Sequence, residues 1–273
     1  MPPEAAGQPG LPPTINLSEL MKGKEHNAEN RSSQGNQSFS IEYLRRKSGL
    51  PGPRANLGLM YSFARKASMD DIYACLLVNS KEQKDAQDEF VLMCGIVGYC
   101  YQKRKDYAEV LSEIRPFASH PNWRIREAVA MGIQEMVDNN LPEIMDLLEP
   151  WVNGTYYENR AVAAALCEPK LLKNEEDIRR ILRIIKKITM KFLLINGKLT
   201  SEQETLRKTL GYAWSVLIAA SPVDGRPEFE KLAANTNPHI QWIVRENLRK
   251  NRLTEMDKLW VEKLQRKLPK ERP

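Results

Sequence analysis

The stretch Phe117-Ala118-Ser119-His120-Pro121-Asn122-Trp123-Arg124-Ile125-Arg126-Glu127-Ala128-Val129-Ala130 decides the fold. Phe117 closes one apolar-periodic segment. Ser119 to Asn122 is a turn. Ile125-Arg126 then opens a second segment rich in small residues. Shifted by 34 positions, Trp151 falls under Phe117, Asn159-Arg160 under Ile125-Arg126, and Ala164 under Ala130. A shift of 81 brings Leu206-Arg207, Leu210 and Gly211 under Ile125-Arg126, Val129 and Ala130. A shift of 115 brings Leu232 under Phe117, Ile240-Gln241 under Ile125-Arg126, and Val244 under Val129. Self-similarity of this kind marks stacked helix pairs, in which each pair hides its apolar face only when the next pair covers it. Ala128, Ala130, Ala163, Ala164 and Gly211 are small enough to let the second helix of each pair approach its neighbours closely.

Working outward, helical periodicity runs almost without interruption. It predicts helices over 56–68, 69–79, 85–102, 106–118, 122–138, 141–153, 156–168, 175–195, 202–220, 226–234, 238–250 and 254–267. Ser68 precedes Asp70-Asp71, acids that favour a helix N-terminus. Pro142 sits near the start of the next element. Ser201 and Glu204 have the spacing of a capping box. Pro121, Pro222 and Pro238 mark turns, and the short connections make successive helices antiparallel. The expected fold is all-α: an α-solenoid of about five to six antiparallel helix pairs, right-handed, over residues 41–268. Residues 1–40 are rich in Pro, Gly, Ser, Asn and Gln and read as a disordered tail, with too little apolar surface to offset the entropy of ordering.

Composition narrows the function classes. No stretch of eighteen apolar residues occurs, so no membrane partner is expected. The N-terminus lacks a signal-peptide pattern, and cytoplasmic location is the default. Cys75, Cys94, Cys100 and Cys167 form no C-x-x-C pair and lie in apolar segments, which favours buried free thiols over a disulfide framework. His26, His120 and His239 share no metal-binding spacing with them, so neither a metal nor a cofactor is expected. Gly95-Ile96-Val97-Gly98 lies inside an apolar helix and reads as close helix packing. The formal net charge is +6. That balance admits a nucleic-acid partner without requiring one.

An apolar-Arg pair at the head of the second helix resembles HEAT repeats. Glu158-Asn159-Arg160-Ala161-Val162-Ala163 and Leu206-Arg207-Lys208-Thr209-Leu210-Gly211-Tyr212-Ala213-Trp214 further resemble the HEAT-like-repeat DNA alkylation-repair glycosylases, over roughly residues 105–250. That resemblance implies an armadillo-like helical fold and DNA binding. It also implies an acid that supports positive charge on the sugar as a damaged base leaves. The family places a Trp-Asp pair at the head of an inner helix and a second Asp three residues on. Here Trp123 is followed by Arg124, which would oppose a cation rather than stabilise it. Glu127 stands one turn further along and could substitute only if it projected the same way.

The expected function is therefore a non-catalytic binding module whose concave face takes a protein or a nucleic acid. The alternative is a glycosylase-like protein acting on or binding damaged DNA. The candidate contacts are Trp123, Arg124, Arg126, Glu127, Arg160 and Arg207. The arginines have two readings: ties between neighbouring turns, or a row of cations along the face. Arg179, Arg183, Lys186 and Lys187 share one side of the 175–195 helix opposite Ile178, Ile181, Leu182, Ile185 and Ile188, and read as a solvated outer face or as phosphate contacts. Trp151, Trp214, Trp242 and Trp260 read as core. Trp123, beside two arginines, reads as an aromatic free to stack on a ligand.

Overall fold

A computed structural model describes residues 39–80, 85–137, 140–195 and 197–268. The expected disordered tail lies outside the described residues, apart from its last two positions. By contacts the chain divides into a segment ending at Phe39 and a unit beginning at Ser40. Every described helix lies in the second of these.

The described residues are all-helical, with no strand among them. In chain order the helices are α1 (Ile41–Lys47), α2 (Leu57–Lys66), α3 (Met69–Leu76), α4 (Ala86–Gln102), α5 (Tyr107–Ile114), α6 (Trp123–Met136), α7 (Leu141–Leu147), α8 (Glu149–Val152), α9 (Tyr156–Leu166), α10 (Glu175–Met190), α11 (Ser201–Ala220), α12 (Pro222–Ala233), α13 (Pro238–Leu248) and α14 (Asn251–Lys267). Five of them touch in succession: α4 packs on α6, α6 on α9, α9 on α11, and α11 on α13. The helices between, α5, α7–α8, α10 and α12, precede these in the chain. At the N-terminal end, α1, α2 and α3 all pack against α4.

Sequence chemistry explains the starts. Ser68 and Asp71 form a reciprocal capping box at α3, and Thr155 and Glu158 form another at α9. At α11 the box is Thr200 with Gln203, one residue earlier than the Ser201–Glu204 spacing suggested. Pro222 lies inside the first turn of α12, where its missing N–H costs nothing, so this helix begins four residues before the predicted start. α14 contains a break at Asp257, whose backbone is extended and whose carboxylate accepts the Trp260 N–H at 3.0 Å.

Close approach is what the glycines provide. A Cβ at Gly95 would lie 3.0 Å from the Leu76 nitrogen, and one at Gly132 would lie 2.6 Å from Cys100 Sγ. Such separations are rare at Gly95 and essentially unattained at Gly132, so the missing side chains let α4 sit this near α3 and α6 this near α4. All four cysteines are free and buried. Burial, with a smaller push from the Asp71 carboxylate, raises the Cys75 thiol to about 12. Ile178, Ile181, Leu182, Ile185 and Ile188 of α10 are buried as expected. The cations of α10 are largely engaged by neighbouring helices: Arg180 pairs with Asp146, Lys186 with Glu228 at 2.6 Å, and Lys187 with Glu149 at 2.6 Å. No helix among the described residues is long and apolar enough to cross a membrane.

Candidate functional site

At the head of α6, Asn122 accepts the Arg124 N–H at 2.8 Å and so caps the helix. This fixes the directions of the next residues, which then separate by role. Arg126 turns inward and is only 8% exposed. Its Nη1 donates to the carbonyls of His120 at 2.6 Å and Pro121 at 2.7 Å, and its guanidinium lies 4.5 Å from the centre of the Tyr157 ring on α9. Arg160 donates to the carbonyl of Arg126 at 2.9 Å and pairs with Glu127. Arg207 lies 4.4 Å from the Trp242 ring centre, beside His239. Burial lowers the pKa of both Arg126 and Arg207, the signature of guanidinium groups drawn out of water.

The row of arginines is thus a row of ties between successive helices. Its pattern extends to uncharged residues. Asn159 donates to the carbonyls of Trp151 and Val152, and Gln241 to those of Ala233 and Asn235. In each case a polar side chain at the head of one helix satisfies the carbonyls that the preceding helix or turn leaves open. Hydrogen bonding therefore matches Arg126 with Asn159, at an offset of 33, and with Gln241, at 115. The sequence comparison at 34 is one residue out for this function.

Trp123 is different. It is 58% exposed, while Trp151, Trp214 and Trp260 are buried. One face of its ring is covered by the Arg124 guanidinium at 4.7 Å. Arg124 in turn reaches back to α4, where Nη1 pairs with Glu89 at 3.0 Å.

Trp123 stands on the edge of a cavity of about 440 Å³. Met93 of α4, Met131 of α6 and Ala164 of α9 line it, with Tyr61 of α2 and Tyr212 of α11. Pro53, Arg54 and Ala55 of the loop before α2 form another part of its wall, and Leu57, also exposed, joins them. Glu127 and Glu168 supply carboxylates. Of the six candidate residues, Trp123, Arg124 and Glu127 meet here. Arg126, Arg160 and Arg207 are not part of the lining. Tyr61, Tyr212, Glu168 and the 53–55 loop are further lining residues that no single motif links.

Electrostatically, Glu127 is held by Arg160, whereas Glu168 has no ion pair among the described residues. Burial, followed by the nearby Glu135, Glu168 and Glu127 carboxylates, raises the pKa of Tyr61. Burial pushes Tyr212 up to about 12. Both phenols therefore stay neutral donors at ordinary pH. The described residues contain no group of three or more His, Cys, Asp or Glu placed to hold a metal. The cavity offers aromatic faces, thioether and alkyl surface, and two carboxylates.

No protein-family model, curated protein or solved structure matches the chain.

Proposed function

We propose that the chain is a HEAT-like α-solenoid that binds a protein or nucleic-acid ligand without transforming it, and that the ligand seats in the cavity edged by Trp123. The solenoid reading is supported by the succession of contacts from α4 through α6, α9 and α11 to α13, and by the recurring ties of Arg126, Asn159 and Gln241. One observation carries the binding reading. A tryptophan 58% exposed to water stands over a cavity floored by Met93, Met131 and Ala164. Leaving an indole in water forgoes the burial that the other tryptophans of this chain largely obtain, and a ligand would recover it. Tryptophan emission tests the reading. A bound ligand should shift the spectrum, and the shift should vanish in Trp123→Phe.

A second reading, a glycosylase-like protein acting on damaged DNA, is favoured by the position of Glu127. Its carboxylate lines the same cavity as Trp123, while Arg124 is directed to Glu89. Release of free base from alkylated DNA, lost in Glu127→Gln, would establish this reading in place of the first.

A further inference from the structure

The charges around the cavity point to the chemistry of its occupant. A nucleic acid would need free cations at the rim for its phosphates. Yet Arg124 is paired with Glu89, Arg126 is committed to two carbonyls, and Arg160 is committed to Glu127. Arg207 is stacked on Trp242. Arg54 is the one lining cation without an ion pair among the described residues. The Glu168 carboxylate, which also lines the cavity, has no ion pair among them either, and Glu127 meets Arg160 through one oxygen only.

Resting on the reading of the Trp123 cavity as the ligand seat, we propose that its occupant is the cationic side chain of a basic protein segment, an arginine above all. The stem of such a side chain fits the apolar floor of Met93, Met131 and Ala164, because long cationic side chains bury their methylenes and keep the head at a polar edge. The planar guanidinium then lies against the indole of Trp123 and meets Glu168 through paired N–H donors. Arginine suits this site better than lysine, whose compact ammonium gives up more hydration on leaving water and cannot present a fork. Tyr61, raised first by burial, also feels the carboxylates of Glu135, Glu168 and Glu127, and these favour the same sign of ligand. Neighbouring apolar side chains of the segment would cover Leu57, which is 43% exposed at the cavity mouth.

The test uses the full chain and three probes: a short peptide alternating glycine and arginine, the same peptide with glutamate for arginine, and a short single-stranded DNA. The glycine–arginine peptide should bind, shift the emission of Trp123, and lose about tenfold in affinity in Glu168→Gln. Glu168 has no ion pair to break among the described residues, so this variant should fold normally. Glu175→Gln, whose carboxylate is 82% exposed on α10, should bind as the wild type does. If DNA or the glutamate peptide shifts Trp123 emission and the arginine peptide does not, the basic-segment proposal is overturned while the cavity remains the ligand seat. Equal affinity of Glu168→Gln and wild type for the arginine peptide overturns it too. If no probe moves Trp123 emission, the cavity reading fails with it.

Discussion

Replacing Arg126 by methionine separates the two roles that its position allows. Methionine keeps most of the apolar stem and removes the guanidinium. The structure gives that group two donated hydrogen bonds, at 2.6 and 2.7 Å, and a ring contact at 4.5 Å. A hydrogen bond involving a charged partner contributes about 1.5–3 kcal/mol. The His120 and Pro121 carbonyls lie in a surface turn and regain some water, which places each loss at the low end. The Tyr157 contact adds roughly 0.5–1 kcal/mol. Desolvating the guanidinium, visible in its lowered pKa, opposes these gains. The net expectation is a loss of about 3 kcal/mol. Urea unfolding should show it as a lower midpoint with an unchanged slope. Arg124→Met, which breaks one part-exposed pair with Glu89, should cost about 1 kcal/mol. The reasoning is refuted if Arg126→Met unfolds at the wild-type midpoint yet loses ligand binding. That result would make Arg126 a contact on a binding face and not a tie.

Other consequences rest on particular contacts. Gly132→Ala puts a methyl group 2.6 Å from Cys100 Sγ and should cost about 1–3 kcal/mol in thermal or chemical unfolding, with most of it recovered when Cys100→Ala is added. Thr155→Ala removes the hydroxyl that accepts the Glu158 N–H at 3.1 Å and should cost about 1 kcal/mol by the same assay. Burial lowers the pKa of both His120 and His239, so the folded state favours their neutral forms. Their contribution is complete above the unfolded-state value of about 6.5 and is lost as pH falls through the lower folded-state values, so unfolding midpoints should decline below about pH 6.5. All four thiols are buried, so an aromatic disulfide reagent at mildly alkaline pH should react only as fast as the protein opens, and one rapidly reacting thiol would contradict the packing around α4 and α9.

Much of the helical framework was legible because its signals are local and repeated. The buried face of α10 follows from the spacing of Ile178, Ile181, Leu182, Ile185 and Ile188 alone, and the Ser68 cap follows from Ser68 and the Asp70-Asp71 pair within four residues. Misreadings occurred where two local signals compete. Pro222 reads as a turn residue, yet it opens α12 because the first helical turn has N–H groups to spare. Thr200 and Ser201 are both competent caps, and only the backbone shows that Thr200 takes the role. The seven-residue α1 has too few periodic positions to be recognised, and packing on α4, together with the Arg45–Asp88 pair at 2.6 Å, holds it. The site was half legible. Trp123 could be singled out because it is an aromatic at a helix mouth flanked by Arg124 and Arg126. The inward turn of Arg126 and Arg160 to carbonyls was one of two readings the sequence allowed, because an apolar-Arg pair has the same spelling whether the guanidinium faces solvent or a neighbouring turn. Tyr61, Glu168 and Tyr212 meet across three different elements, and no sequence spacing encodes that meeting.

The most direct test of the account compares two variants in one titration with the glycine–arginine peptide. Trp123→Ala should abolish measurable binding while lowering the unfolding midpoint only slightly, by the loss of its exposed contact with Arg124. Arg207→Ala should lower the midpoint, because its stacking on Trp242 is lost, and should leave affinity intact. Retained binding in Trp123→Ala together with lost binding in Arg207→Ala would contradict the account, since the ligand would then lie along the arginine row and not in the cavity.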